Sequence, residues 1–167
     1  MNELIESIKL ALSKIDRRYC LLAEGRYQER VICYEFYHQF RNLIDSRKVN
    51  LGGRVIQGEV DKGYQDYKNL DKIPDFIFHV PNTEDNLAVV EFKLASDLNG
   101  ITKDLRKLIA FGETLNYRHL VQVIIGDTKS LSRARKYMKS KRVQHSKQIR
   151  ALSLDTTSWE VCDWKIP

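Results

Sequence analysis

The chain has 167 residues, 43% of them hydrophobic and 30% charged, a mixture that predicts a single water-soluble domain over residues 1–167. No stretch approaches the ~20 apolar residues of a membrane-spanning helix, so we expect no association with a membrane. The three cysteines, Cys20, Cys33 and Cys162, lie far apart and lack the spacing of a metal site. We therefore expect buried free thiols and a cytoplasmic location.

The formal net charge of +6 is spread unevenly along the chain. The segment from Lys129 to Arg150 contains nine Lys and Arg residues and no acidic residue, so the rest of the chain carries a net charge of −3. A local basic patch is the usual footprint of a polyanionic partner. A solvated, lysine-rich surface explains the same charge equally well, so the charge by itself leaves both alternatives open.

Two helices are predicted in the first third of the chain. Apolar residues recur at helical spacing from Leu4 to Ile15, which predicts a helix over residues 2–19. Its acidic residues are typical of a surface helix and not of a signal peptide. A second apolar stripe, from Ile32 to Leu43, predicts a helix over residues 26–46. A strand over residues 54–60 and a charged loop follow.

The remaining pattern alternates between strands and helices. Short runs rich in β-branched and aromatic residues predict strands over 75–80, 87–94 and 119–127, and two terminal strands over 149–155 and 159–164. Helices are predicted over 96–116, capped by Ser96 or Asp97, and over the basic residues 129–142. This order predicts an α/β fold with a mixed central β-sheet flanked by helices.

The strands over 75–80 and 87–94 place charged residues in an otherwise apolar hairpin. Because side chains alternate along a strand, one face is wholly apolar and the other carries Asp75, Glu91 and Lys93, provided that the antiparallel register pairs residues of like parity. Two carboxylates this close repel each other, so one should bind a proton or a cation, and Mg²⁺ prefers such oxygen ligands. A buried ion cluster without chemistry is the equally weighted alternative.

Pro74-Asp75, followed sixteen positions after the aspartate by Glu91-Phe92-Lys93, resembles the PD-(D/E)xK motif of restriction-endonuclease-like nucleases. The motif lies on neighbouring strands, with a helix before the hairpin and a helix and a strand after it. This order is similar to the αβββαβ core of that family and spans about residues 26–126. The first helix and the two terminal strands lie outside the shared core.

The resemblance implies roles for individual residues. Asp75 and Glu91 would bind Mg²⁺, or Mn²⁺ in its place, together with the backbone carbonyl of Phe92. Lys93 would orient or activate the attacking water. Glu35, on the preceding helix, would support the metal, and Glu59 could replace or join it. The resemblance also implies phosphate contacts from two basic residues on the helix after the motif, Lys103 and Arg106.

The function that follows is a Mg²⁺-dependent endonuclease that hydrolyses phosphodiester bonds in DNA, with RNA a less favoured substrate. In that context the basic helix is expected to contact the phosphate backbone through Arg133, Lys136, Lys139 and Arg142. The alternative is a non-catalytic module of the same fold that binds nucleic acid or a partner protein. A homodimer, or a subunit whose activity needs a second protein, also remains open.

Overall fold

A computed structural model describes residues 3–22, 25–60, 73–140 and 149–165. Within these ranges the chain forms five helices and six strands. The helices are α1 Glu3–Ser13, α2 Arg17–Cys20, α3 Glu29–Asp45, α4 Leu98–Thr114 and α5 Thr128–Ser140. The strands are β1 Val55–Gly58, β2 Phe76–His79, β3 Asn86–Leu94, β4 His119–Gly126, β5 Ile149–Asp155 and β6 Val161–Lys165. No helix in the described ranges is long and apolar enough to cross a membrane.

The six strands form one mixed sheet in the order of the sequence. β1 pairs antiparallel with β2, and β2 pairs antiparallel with β3. β3, β4 and β5 are parallel, because α4 and α5 carry the chain back across the sheet, and β6 returns antiparallel to β5. The predicted mixed α/β fold, with helices flanking the sheet, is confirmed.

The sheet separates two hydrophobic cores, and the alternation of strand residues decides which core each side chain joins. On one face, Phe36 of α3 packs against Phe76 and Phe92, with ring centroids 5.3 and 5.0 Å apart. On the other face, α4 and α5 cover Ile77 and Val89. The pairing of Phe76 with Val90 joins residues of like parity, so the predicted register of the hairpin is confirmed.

The N-terminal region differs from the single helix predicted over 2–19. α1 ends at Ser13, and a separate short helix, α2, begins at Arg17. Asp16 adopts an extended backbone between them, and its side chain accepts a hydrogen bond from the N–H of Arg18. An aspartate that satisfies the backbone in this way favours a new helix start over continuation of the old helix.

The three cysteines are free, but only two of them match the expectation of burial. Cys20 and Cys33 lie in the core between the helices and the sheet, whereas Cys162 is exposed on β6. Cys162 and Trp164 lie two residues apart on β6, the last strand of the described sheet, and so share a face; Trp164 is covered by the core on that face, whereas Cys162 is exposed.

Candidate active site

Asp75, Glu91 and Lys93 meet at the open end of the hairpin, where β3 extends beyond the first residue of β2. β2 begins at Phe76, opposite Val90, so the last four residues of β3 extend beyond it. The N–H groups of Phe92 and Leu94 point to the side that β2 has left, because these residues lie two apart on the strand. Phe92 N donates to Asp75 Oδ2 at 2.6 Å, and Leu94 N donates to Glu29 Oε2 at 3.1 Å. Two carboxylates thus replace the missing strand and are held at the edge of β3.

Glu91 lies beneath α4 and is 1% exposed. Lys107 of α4 reaches it, and its Nζ donates to Glu91 Oε2 at 2.6 Å and to the carbonyl of Ile73 at 3.1 Å. The second carboxylate oxygen, Glu91 Oε1, is buried and has no hydrogen-bond partner among the residues that the structure describes. A buried oxygen without a partner is costly, and such an atom in a folded protein indicates a missing water or ion.

Lys93 is the centre of a second set of ion pairs. Its Nζ donates to Glu29 Oε1 at 2.8 Å and lies 3.5 Å from Asp104 Oδ2. Gly100, in the first turn of α4, leaves room for this side chain, because a Cβ there would lie 2.8 Å from Lys93 Cδ. Lys107 Nζ also lies 3.7 Å from Asp104 Oδ1, so the two lysines share one aspartate.

We call these residues the site cluster. It contains four carboxylates and two ammonium groups, contributed by Glu29, Asp75, Glu91, Asp104, Lys93 and Lys107. When all six are ionised the net charge is −2, which matches the charge of one divalent cation. The cluster is largely removed from water, so this excess charge is poorly screened by solvent.

Three carboxylates of the cluster, those of Asp75, Glu91 and Asp104, are harder to ionise than free side chains. Burial raises the pKa of Glu91 well above its ordinary value, and the nearby charge of Asp75 adds to this effect, while Lys107 opposes it. Burial also raises the pKa of Asp75, against the hydrogen bond from Phe92. The pKa of Asp104 is raised by burial, too, despite its two lysine neighbours. A bound cation would relieve this repulsion.

For the two lysines of the site cluster, the attraction of nearby carboxylates outweighs the effect of burial on the pKa. Burial disfavours the ammonium of Lys93, but the hydrogen bond to Glu29 and the charge of Asp104 outweigh it, so the pKa of Lys93 lies above its ordinary value. Burial likewise disfavours the ammonium of Lys107, and the charge of Glu91 outweighs it, which raises the pKa of Lys107. Both lysines are therefore positively charged near neutral pH and serve as hydrogen-bond donors.

The residues present fit a divalent cation. Asp75 and Glu91 provide hard oxygen donors, the free Glu91 Oε1 is a ligand position already stripped of water, and the charge excess has the right sign. Within the described ranges, no three His, Cys, Asp or Glu side chains are arranged as a ready metal site. The resemblance assigns the third ligand to the carbonyl of Phe92, which is a backbone group.

The structure brings Asp75, Glu91 and Lys93 together and adds Glu29, whereas Glu35 lies elsewhere. Glu35 Oε1 accepts from Gln39 Nε2 at 2.7 Å and from Asp16 N at 3.5 Å, next to α2. Glu35 is six residues beyond Glu29 and so points about 120° away from it around α3. Glu59, the other predicted candidate, pairs with Arg30 at 2.7 Å at the end of β1.

Three residues of the site cluster were missed by the sequence reasoning: Glu29, Asp104 and Lys107. The signal for Asp104 and Lys107 was present, because both interrupt the apolar face of α4 formed by Leu105 and Leu108. Charged residues on a core-facing stripe need partners, and carboxylates on the covered hairpin were available. Glu29 carried no comparable signal, since an acidic residue in the first turn of a helix is commonplace.

The predicted phosphate-binding residues lie on one helical layer. α4 and α5 are neighbours, joined by a hydrogen bond of 2.9 Å between Thr102 Oγ1 and Tyr137 OH. Both present exposed cations, namely Lys103, Arg106, Arg133, Lys136 and Lys139. Arg142 lies outside the described residues. β3, β4 and β5 are parallel, so the N-termini of α4 and α5 lie at the same end of the sheet as the site cluster.

Comparison of the chain with protein-family models, with curated proteins and with solved structures finds no significant match in any of the three. The functional conclusion must therefore come from the chemistry of the site cluster and of the surface around it.

Proposed function

We propose that the protein is a Mg²⁺-dependent nuclease that hydrolyses phosphodiester bonds in DNA through a PD-(D/E)xK site. The observation that carries this proposal is the convergence of Asp75, Glu91 and Lys93 at the open end of the β2–β3 hairpin, in a buried cluster whose net charge is −2 when all six of its charged side chains are ionised. Paired carboxylates with an adjacent ammonium are suited to holding a divalent cation and a water beside a phosphate.

The order of the elements also supports the resemblance. α3 precedes three antiparallel strands, and α4 then leads to β4, which is parallel to β3. This sequence of elements is similar to the αβββαβ core of restriction-endonuclease-like nucleases. In such a core the two acidic motif residues belong to two adjacent strands, and here Asp75 directly precedes β2 while Glu91 lies on β3.

The residues of the site cluster would have different roles in hydrolysis. Asp75, Glu91 and the Phe92 carbonyl would hold the metal, which when bound polarises the phosphate and lowers the pKa of water. Lys93, held by Glu29, donates a hydrogen bond that orients the attacking water or stabilises charge on the phosphate. In the protein without metal, the raised pKa of Lys93 keeps it protonated, which favours the role of a hydrogen-bond donor over that of a proton acceptor.

Hydrolysis forms a bond from the water oxygen to phosphorus and breaks the bond from phosphorus to one ester oxygen. The water loses a proton in this step, and the departing oxygen gains one. Glu29 and Asp104 flank Lys93 and are the carboxylates available to accept the proton from the water side. The ammonium of Lys107 lies on the opposite side of Asp104 and is available as a donor.

The substrate is inferred from the basic surface of α4 and α5. Exposed Lys and Arg side chains on two adjacent helices suit a phosphate backbone, and their contacts should make binding depend on salt. We propose DNA as the substrate, with RNA a less favoured one. Three free cysteines fit a reducing compartment such as the cytoplasm, where we place the activity.

The test is cleavage by purified protein of supercoiled plasmid, linear duplex, single-stranded DNA and branched DNA, each with Mg²⁺, with Mn²⁺ and with EDTA. Lys93→Ala should lower the cleavage rate by ~10²–10⁴, the usual worth of a positioned acid–base group. Lys14→Ala, an exposed lysine of the N-terminal region, is the matched control and should cut normally. Absence of metal-dependent cleavage of every form would reject the proposal.

One observation favours the second candidate, a non-catalytic binding module. Both lysines of the site cluster are already paired with carboxylates, so the cluster forms a nearly complete ion network without a ligand. Such a network could serve only to hold α3 and α4 on the hairpin. This candidate predicts no metal-dependent cleavage in those experiments, and DNA binding that is unaffected by Mg²⁺ and by Lys93→Ala, which a gel-shift titration measures.

A further inference from the structure

A cavity of about 350 Å³ opens directly beside the site cluster, between α3 and the ends of β1 and β2. It shares Glu29 and Asp75 with the cluster, so a ligand in it would touch the residues that position the reacting phosphate. The remaining lining comes from one stripe of α3 and from the two strand ends, namely Arg30, Cys33, Tyr34, Tyr37, Gly58, Glu59 and Phe76.

The walls of this cavity are aromatic. Tyr37 stacks in parallel on Phe76, with ring centroids 6.0 Å apart and an angle of 6° between the planes. Tyr34, one helical turn after Arg30, is 60% exposed and lines the same cavity, so its ring is accessible to a ligand. Flat aromatic surfaces of this kind are the usual stacking partners of unpaired bases.

The charges of the cavity select against a phosphate and in favour of a base. Three carboxylates line it against one cation, and that cation, Arg30, is paired with Glu59 at 2.7 Å. A phosphate inside would therefore be repelled, whereas the amino groups of a nucleobase can donate hydrogen bonds to a carboxylate. Glu59 also has a φ of +51°, and backbone strain in a residue other than glycine is concentrated at functional sites.

We infer that this cavity binds one unpaired nucleobase of the substrate strand, next to the phosphodiester that is cut. The inference rests on the proposed nuclease function and names its substrate class, which is DNA with a single-stranded or unpaired nucleotide at the cleavage site. The size of the cavity, at the low end of the ~300–1,000 Å³ of small-molecule sites, suits a single base and not a base pair.

The test measures binding separately from cleavage. The Lys93→Ala protein, which should cut ~10²–10⁴ times more slowly than the wild type, is titrated with a single-stranded oligonucleotide that carries 2-aminopurine at successive positions, and with the matching duplex. Tyr34→Ala in this background should weaken single-strand binding on the order of tenfold and lower the ratio of single-strand to duplex affinity. Tyr34→Phe should restore both values, and 2-aminopurine fluorescence should be quenched most strongly at one position.

The matched control is Tyr19→Ala, because Tyr19 is 67% exposed and does not line the cavity. Unchanged single-strand affinity in Tyr34→Ala, or an equal loss on single strands and duplex, would overturn the inference. If the wild type cuts DNA with Mg²⁺ while either of these results is obtained, only the inference on the base fails. If the wild type cuts no nucleic acid with Mg²⁺ or Mn²⁺, the proposed function fails with it.

Discussion

Replacing Lys107 by Met would remove the one hydrogen-bond donor that the structure gives to the buried Glu91. The ammonium of Lys107 lies 2.6 Å from Glu91 Oε2, and the other oxygen has no partner in the described part of the chain. Met keeps the length and much of the apolar stem of the lysine, so the change removes mainly the charge and the donor. We expect two consequences, a loss of stability without metal and a gain in metal affinity.

The size of the stability loss has an upper limit set by proton binding. Breaking a buried ion pair by removing one partner typically costs ~3–5 kcal/mol. Glu91 can avoid part of this cost by taking up a proton, and protonating a carboxyl with an ordinary pKa of 4.5 at neutral pH costs about 3.4 kcal/mol, at 1.36 kcal/mol per pH unit. Since burial already raises the pKa of Glu91 in the wild type, less than this proton-binding cost remains to be lost, and we expect a loss below about 3 kcal/mol.

The assay is denaturant unfolding in EDTA, beside calorimetric titration with Mg²⁺ and Mn²⁺. With metal, the cation takes over the role of the ammonium, so Lys107→Met should bind metal more tightly and gain more stability from it than the wild type. Lys103→Met, an exposed residue one turn earlier on α4, is the control and should change neither quantity. Unchanged stability in EDTA together with unchanged metal affinity would refute the assignment of Lys107 as the counter-ion of Glu91.

Three further predictions concern the other parts of the site. Glu29→Gln weakens the pair with Lys93 and should reduce cleavage strongly, whereas Glu35→Gln should cut at nearly the wild-type rate; equal losses in the two would contradict the placement of Glu29 at the site. The pKa of Glu91 is raised, so its folded form holds a proton that the unfolded chain releases, and stability without metal is lost as the pH rises above the ordinary value of 4.5. Unfolding free energies in EDTA should therefore shift increasingly in favour of Glu91→Gln as the pH rises above 4.5, and a constant difference would argue against burial as the cause. Removing the charges of the basic surface should weaken DNA binding broadly and flatten its salt dependence, which titrations at several salt concentrations measure. An unchanged slope of affinity against salt concentration would show that these residues form a solvated surface without phosphate contacts. The residues to combine are Arg133, Lys136 and Lys139.

The hairpin could be derived from the sequence because its information is local. Side chains alternate with a period of two along a strand. Once Asp75 and Glu91 are assigned to neighbouring antiparallel segments, the register therefore leaves two alternatives: the two side chains lie on the same face of the sheet or on opposite faces. The wholly apolar set containing Phe76 and Phe92 must be buried on one core, which leaves the charged set for the other face. The order of strands and helices followed from the same local periodicities, apart from the break before Asp16.

The completed site depended on how distant elements pack. Glu29 and Lys93 are 64 positions apart, and their contact exists because the start of α3 lies against the part of β3 that extends beyond β2. The periodicity of α3 identified its buried stripe but not the point along the helix that meets the strand edge, so Glu35 was named and Glu29 was missed.

The sequence by itself determined the element order, the faces of the hairpin and the presence of paired carboxylates with a lysine, because these follow from periods of 2 and 3.6 residues along the chain. Only the tertiary structure decided that Lys107 neutralises Glu91, that Asp104 bridges the two lysines and that Glu29 occupies the edge of β3. These contacts depend on the position of one element along another, and that position is set by the packing of the two cores on either side of the sheet.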